Sequence, residues 1–230
     1  MLSARKLTKR YGARAVFRDV DFDLEAGRVA AIVGVNGAGK STLLKIVAGL
    51  ARPSRGEVTW CSGAADEVDG ANASRPSDEA SNRVMRLAAT PTNAVAAGVE
   101  LKWLCGLAAP DAPLPRELTV GENVEFVARV RGLPHDARSI AAHLEKFGLG
   151  ARRDDLTGDL SSGLRARLQL AVSLLHAPPV LLLDEPSANL DEAGRALLRR
   201  LLDEQRTRGV ALVATNDERE AALCDARIAL

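Results

Sequence analysis

Apolar residues in this chain gather into short runs joined by stretches of helical period. Leu2 to Leu7 and Val16 to Leu24 read as strands. In the second, Val20, Phe22 and Leu24 alternate with Asp21, Asp23 and Glu25, the period-2 pattern of a half-buried strand. Gly27 ends it. Val29-Ala30-Ala31-Ile32-Val33 is then a fully apolar run, read as a buried strand. A glycine-rich turn follows, and after it Leu43-Leu44-Lys45-Ile46-Val47, apolar at helical spacing. Gly49 and Pro53 mark a turn, and Glu57 to Trp60 predicts a short strand.

From Ser62 to about Ala97 the period disappears. The stretch is rich in Ala, Ser, Asp, Asn and Pro, and its composition predicts a surface loop insertion. Order returns where Val99, Leu101, Trp103 and Cys105 alternate with polar or small neighbours, which predicts a strand. Ala108 to Pro113 is a proline-broken linker. Val120, Val124 and Val127 then share one helical face, Gly132-Leu133-Pro134 breaks it, and a second helix is expected from about Asp136 to Phe147. Leu164, Leu168, Ala171, Val172 and Leu175 define a third helix. Val180 to Leu183 is an apolar strand that ends in Asp184-Glu185. Leu197, Leu198, Leu201 and Leu202 place another helix, and Val210 to Thr215 another buried strand. Strands alternating with helices in this way predict an α/β domain with a mainly parallel sheet.

The length of 230 residues is enough for one large domain with a substantial core. A net charge of +1 argues against nucleic acid, or a membrane surface, recognised by bulk charge. Cys61, Cys105 and Cys224 are widely spaced, form no metal-ligand pattern and fit thiols in a reducing compartment. No apolar run approaches the roughly 20 residues of a membrane span. Met1 to Leu7 shows no apolar signal segment, so a cytoplasmic chain is expected.

Chemistry concentrates at three places. Gly34 and Gly39 with Lys40 and Ser41 fit G-x-x-x-x-G-K-[ST], set between a predicted strand and a predicted helix. Glycines let backbone N–H groups curl round a triphosphate, and the following helix aims its positive end at that charge. Lys40 would neutralise the β/γ-phosphates, and the Ser41 hydroxyl would hold Mg²⁺. Asp184 and Glu185 end a strand of four apolar residues, so both carboxylates emerge at the sheet's carboxyl edge. The first suits the Mg²⁺ shell, and the second suits orienting or deprotonating a water. The third place is Leu160-Ser161-Ser162-Gly163-Leu164-Arg165. Ser161 is a natural N-cap, and taken alone the run marks only a helix start.

Together these motifs resemble the nucleotide-binding subunit of an ABC transporter, and the resemblance covers nearly the whole chain. Walker A is similar to Gly34 to Thr42, through Asn36, Gly37 and Ala38; Walker B to Val180 to Glu185; the Leu-Ser-Gly-Gly-Gln signature to Leu160 to Leu164; and the D-loop to Ser187 to Asp191. The aromatic that stacks on adenine falls on Tyr11, with Val16 beside the base. The resemblance implies an α/β P-loop NTPase fold: a RecA-like parallel core with an antiparallel β subdomain (residues 1–107 and 160–230) and a helical signature subdomain (about 108–159). It implies ATP hydrolysis with Mg²⁺ held by Ser41 and Asp184. It also implies a second nucleotide-binding subunit, as homodimer or heterodimer, whose Ser161, Ser162 and Gly163 reach the γ-phosphate in trans. The permease would be a separate membrane chain that holds this one at the inner face.

Three departures stand against the pattern. Where a Q-loop glutamine is expected there is Pro110-Asp111, so Asp111 is the candidate for the metal-side role. The signature carries Ser162 for a glycine and Leu164 for glutamine. The H-loop histidine is Asn216, placed as a γ-phosphate contact, while His135, His143 and His176 lie elsewhere. The competing readings are a degenerate cassette that clamps a dimer with little hydrolysis, and a soluble ABC ATPase outside transport; the intact Glu185 opposes the first. Ala48-Gly49-Leu50-Ala51-Arg52-Pro53 with Gly56-Glu57-Val58 resembles the ATPase of the heme exporter, the expected cargo class on this reading.

Overall fold

The computed structural model describes residues 1–62, 83–88, 102–110, 112 and 114–230. It contains two sheets. Strands Leu2–Tyr11 (β1), Arg14–Leu24 (β2), Arg55–Ser62 (β4) and Arg83–Ala88 (β5) form an antiparallel sheet in the order β2-β1-β4-β5. Strands Cys105–Ala108 (β6), Val180–Asp184 (β7), Val210–Ala214 (β8), Val29–Val33 (β3) and Ala226–Ala229 (β9) form a parallel one, β6-β7-β8-β3-β9.

The central parallel strands β3, β7 and β8 read as apolar runs because both of their faces are covered. Val180 and Leu182 of β7 and Val210 and Leu212 of β8 face one core, shared with helix Lys40–Val47 (α1) and with Leu2, Leu7, Val58 and Trp60 of the antiparallel sheet. Their alternate neighbours Leu181, Leu183, Ala211 and Val213 face a second core. That core is closed by helices Val120–Val130 (α2), Ala137–Lys146 (α3), Ser162–Leu174 (α4) and Glu192–Arg206 (α5). The period-2 geometry of the strands thus sorts one sequence run into two layers.

Helix starts are fixed by side chains. Thr119 and Glu122 form a capping box at α2, with Thr119 Oγ1 accepting from Glu122 N at 3.1 Å and Glu122 Oε2 from Thr119 N at 2.7 Å. Buried Asn123 donates to the Thr157 hydroxyl at 2.9 Å, fastening α2 to the segment that leads into α4. Short helix Glu218–Ala221 (α6) follows β8.

Two sequence expectations change. The alternation from Val99 to Cys105 does not continue as a strand through the described residues: 102–104 are helical, and β6 starts at Cys105. The Arg131 guanidinium donates to the Trp103 carbonyl at 2.9 Å and the Lys102 carbonyl at 3.3 Å, satisfying the open end of that turn. The loop insertion from 62 to 97 also contains a strand. β5 pairs antiparallel with β4 and covers an edge that would otherwise be open; residues 63–82 and 89–97 lie outside the described residues.

Ser62 stands opposite Arg83 in that pairing, so a short turn can join them. Replacing residues 63–82 with a Gly/Ser turn is expected to move Tm by less than about 4 °C, because changing the length of a surface loop alters closure entropy by about a kilocalorie at most. Thermal unfolding followed by circular dichroism checks this. A larger fall shows that the replaced segment packs on the core.

Candidate functional site

The loop from β3 to α1 needs three glycines for three separate reasons. A Cβ on Gly34 would lie 2.9 Å from the Leu230 carbonyl oxygen. Gly37 holds φ at 83°, a left-handed conformation open to glycine. Gly39 combines φ of 104° with contact: a Cβ there would meet Val16 Cγ1 at 2.4 Å and Phe17 Cδ1 at 3.0 Å. Val16 therefore sits against the loop. Ala38 N donates to Val35 O at 3.0 Å, folding the loop back on itself. α1 begins at Lys40 with Ser41 and Thr42 in its first turn, and neither a side-chain cap nor an acidic residue occupies that end. Its N–H groups and dipole are aimed outward at a place suited to an anion.

Lys40 crosses this site. Its ammonium, on a residue 6% exposed, donates to the Gly34 carbonyl at 2.9 Å and to Asn216 Oδ1 at 2.7 Å, and lies 4.0 Å from Glu185 Oε1. Asn216 donates in turn through Nδ2 to Glu185 Oε1 at 3.0 Å and to Asn36 Oδ1 at 2.5 Å. Its backbone N–H reaches Glu185 Oε2 at 3.4 Å. One amide thus links the glycine loop, the lysine and the carboxylate. Its orientation is set, because only the oxygen can accept from an ammonium.

Parallel strands make this meeting possible. β3, β7 and β8 are neighbours, so their carboxyl ends deliver Gly34, Asp184-Glu185 and Thr215-Asn216 to one edge. Glu185 leaves β7 with φ of 48° and is anchored by its N–H to the Ala214 carbonyl at 2.8 Å. A non-glycine residue in that region carries strain of about 1–3 kcal/mol, the kind that accumulates at functional sites.

A family model described as ABC transporter matches residues 17–188, from β2 through the glycine loop and α4 to the turn after β7. The chain belongs to the ABC transporter family. It is an ABC-type ATPase domain, and the loop from Gly34 to Thr42 is its Walker A motif. The aliphatic sulfonates import ATP-binding protein SsuB of Albidiferax ferrireducens is 35% identical over 238 residues, which cover all of this chain and 70% of that protein. SsuB 1 of Burkholderia lata is 35% identical over 97% of this chain and 59% of its own length. The chain thus spans little more than half of several of these relatives. Among solved structures, an ATP-binding subunit of an ABC transporter superposes with a TM-score of 0.77 at 26% identity, covering all of this chain and 85% of that one. CbiO1 of Clostridium perfringens, part of the ABC transporter complex cbiONQ, gives 0.71 at 27% identity, covering all of this chain and 86% of that one.

The remaining sequence candidates fall at defined places in the ABC domain. Asp184 is 7% exposed at the end of β7, and no partner for its carboxylate is found among the described residues. Those residues also contain no cluster of three or more His, Cys, Asp or Glu able to enclose a metal. A lone buried carboxylate at the sheet edge that also leads into α1 suits Mg²⁺, which takes one or two protein oxygens and completes its shell from phosphates and water. Asp111 lies outside the described residues. Tyr11 is 58% exposed at the β1–β2 hairpin, next to Gly12 with φ of 57°, and Lys9 Nζ stands 4.7 Å from its ring centre. Ser161 caps α4, accepting from Leu164 N at 3.3 Å, and a Cβ on Gly163 would lie 2.9 Å from the Asn189 carbonyl oxygen. Ser162 lines a cavity of about 190 Å³ with Asp184 and Glu185.

Asp191 caps α5 through Gly194 N at 2.8 Å and pairs with Arg167 of α4 at 2.6 Å. The Arg167 hydrogen bond is the main reason its carboxyl sits below the usual range. That bridge between α4 and the start of α5 had no sequence signal, nor had Gln169, whose amide donates to the Ala109 carbonyl at 3.3 Å and which lines the Asp184 cavity.

Proposed function

We propose that this chain binds and hydrolyses Mg-ATP as the nucleotide-binding subunit of an importer, with two such subunits closing around two nucleotides to drive a separately encoded permease. The contact of Lys40 with Gly34, Asn216 and Glu185 carries this reading, because it places a cation, a hydrogen-bond donor and a base within one phosphate's reach. Tyr11 stacks on adenine and Val16 packs beside it. The loop from Gly34 to Gly39 wraps the phosphates, and Lys40 exchanges Asn216 Oδ1 for phosphate oxygens. Ser41 and Asp184 would hold Mg²⁺, which supplies positive charge against the phosphate oxygens. Glu185 orients and deprotonates the attacking water, and Asn216 donates to the γ-phosphate. Ser161, Ser162 and Gly163 of the second subunit complete the shell from the opposite side, near the D-loop residue Asp191.

No helix among the described residues is long and apolar enough to cross a membrane; a separate permease would hold the chain at the membrane's inner face. For cargo, the relatives described above are named for aliphatic sulfonate import. An organic sulfonate or similar small anion is therefore preferred over heme, a likeness those relatives do not support. Co-purification with the neighbouring permease, followed by ATP turnover with and without an alkanesulfonate-loaded binding protein, tests it. Turnover that ignores the sulfonate excludes this cargo.

Asn216 provides the sharper test of the site. Removing a hydrogen bond to a charged group costs about 1.5–3 kcal/mol, so Asn216→Ala is expected to lower kcat at least about tenfold. Steady-state phosphate release measures it. An unchanged rate removes Asn216 from the reaction.

A further inference from the structure

Glu220 lies outside the motifs that carry the proposed chemistry. It is 3% exposed in α6, a position where an ionisable side chain is costly unless it is hydrogen-bonded. Burial raises its carboxyl above the usual glutamate range, and the nearby charge of Glu185 adds to it; its Oε2 is buried with no hydrogen-bond partner among the described residues. A carboxyl kept in such surroundings must hold something in place.

What it holds are the two loops that carry the reacting side chains. After β7 the chain turns tightly, with Ala188 N donating to Glu185 O at 3.2 Å. Pro186 and Ser187 are the central residues of that turn. Proline has no N–H, so the Ser187 N–H is the one backbone donor the turn leaves over. It goes to Glu220 Oε1 at 3.1 Å. On the other side, Thr215 is the residue before Asn216, 1% exposed, and its hydroxyl oxygen accepts from Asp217 N at 3.0 Å, fixing the start of the helix that carries Glu220. Glu220 therefore ties the backbone just past Glu185 to the helix that opens just past Asn216.

We propose that Glu220 is a positioning residue that clamps the loop after β7 to the loop after β8 and so fixes Asn216 against Glu185. It does not reach the nucleotide. The inference rests on the reading above, in which Glu185 and Asn216 serve hydrolysis. Without the carboxylate, the Ser187 N–H loses its acceptor, and the 3.0 Å contact between Asn216 and Glu185 is no longer held from behind. The glycine loop and Lys40 sit on β3 and α1 and stay where they are.

The test is a split between kcat and KM. Glu220→Ala is expected to lower kcat by about tenfold to 100-fold, since misplacing a reacting group by an ångström costs on that order, with KM for ATP moving less than about twofold. Glu220→Gln keeps an acceptor for Ser187, and is expected to recover kcat to within about threefold of wild type. Thr215→Val, close to isosteric, removes the acceptor for Asp217 N that ties α6 to the loop after β8: it should lower kcat alone and add little on top of Glu220→Ala. If Glu220→Ala does not fold, Thr215→Val decides. A folded Glu220→Ala or Thr215→Val enzyme with wild-type kcat overturns the clamp, as does a loss of kcat matched by an equal rise in KM. Glu185→Gln separates the two levels. If it turns over ATP normally, the underlying reading fails. If it is inactive while Glu220→Ala is not, only the clamp fails.

Discussion

Lys40→Ala is expected to raise the Kd for ATP by at least about 100-fold, because two hydrogen bonds from a charged group are each worth about 1.5 kcal/mol or more. The ammonium is almost wholly buried and is shared between the Gly34 carbonyl and Asn216 Oδ1. Both acceptors lie where phosphate oxygens would compete for the same cation, so binding exchanges partners without having to bring a charge out of solvent. Alanine leaves the phosphates with backbone N–H groups and the α1 dipole, which orient an anion but neutralise it only in part. Arginine is no substitute: its planar fork does not fit a point occupied by a compact ammonium, and Lys40→Arg should lose most of the affinity as well. Titration calorimetry with ATP measures both variants. Affinity within threefold of wild type in Lys40→Ala would remove the phosphate-loop assignment.

This site was legible in part, and the division has a physical cause. The glycine loop is local: a strand, a turn and a helix start within one short stretch, so its chemistry is written in neighbouring residues. Asp184 and Glu185 were legible because a fully apolar strand cannot carry two acids at its tip without placing them at the sheet edge. The Asn36–Asn216 contact joins residues 180 positions apart. Nothing near Asn36 announces it, and it exists only because β3 and β8 are neighbours in the parallel sheet. Glu220 and the Arg167–Asp191 bridge were invisible for the same reason.

The fold followed the same rule. Strands buried on both faces gave unbroken runs, and α5 showed its apolar stripe at Leu197, Leu198, Leu201 and Leu202, all buried. β5 was missed because two arginines interrupt a run of only six residues inside a polar stretch, while its partner β4 supplies the hydrogen bonds. The helical turn at 102–104 was missed because Trp103 fits an alternation by spacing alone. Its conformation is fixed by Arg131, which reaches back from the end of α2 to the turn's carbonyls.

Glu185→Gln should leave ATP affinity near wild type and cut kcat by about 100-fold or more, the range a general base contributes. Glu185 Oε1 accepts from Asn216 Nδ2, Oε2 faces the Asn216 N–H, and Lys40 Nζ stands 4.0 Å from Oε1. A glutamine of the same shape keeps one acceptor for Asn216 but turns the other position into a donor that cannot take a proton from water. It also removes the negative charge beside Lys40, leaving the ammonium freer to pair with phosphate, so affinity should not fall. In the proposed two-subunit mechanism the closed pair would open only when its nucleotide is cleaved, so this variant should accumulate as a dimer in ATP and Mg²⁺ and remain monomeric in ADP. Size-exclusion chromatography with light scattering reads the mass directly. Turnover within tenfold of wild type would rule out Glu185 as the base. A monomer in ATP with turnover abolished would keep Glu185 in that role and rule out the two-subunit sandwich, because nucleotide held without hydrolysis would then have failed to hold the subunits together.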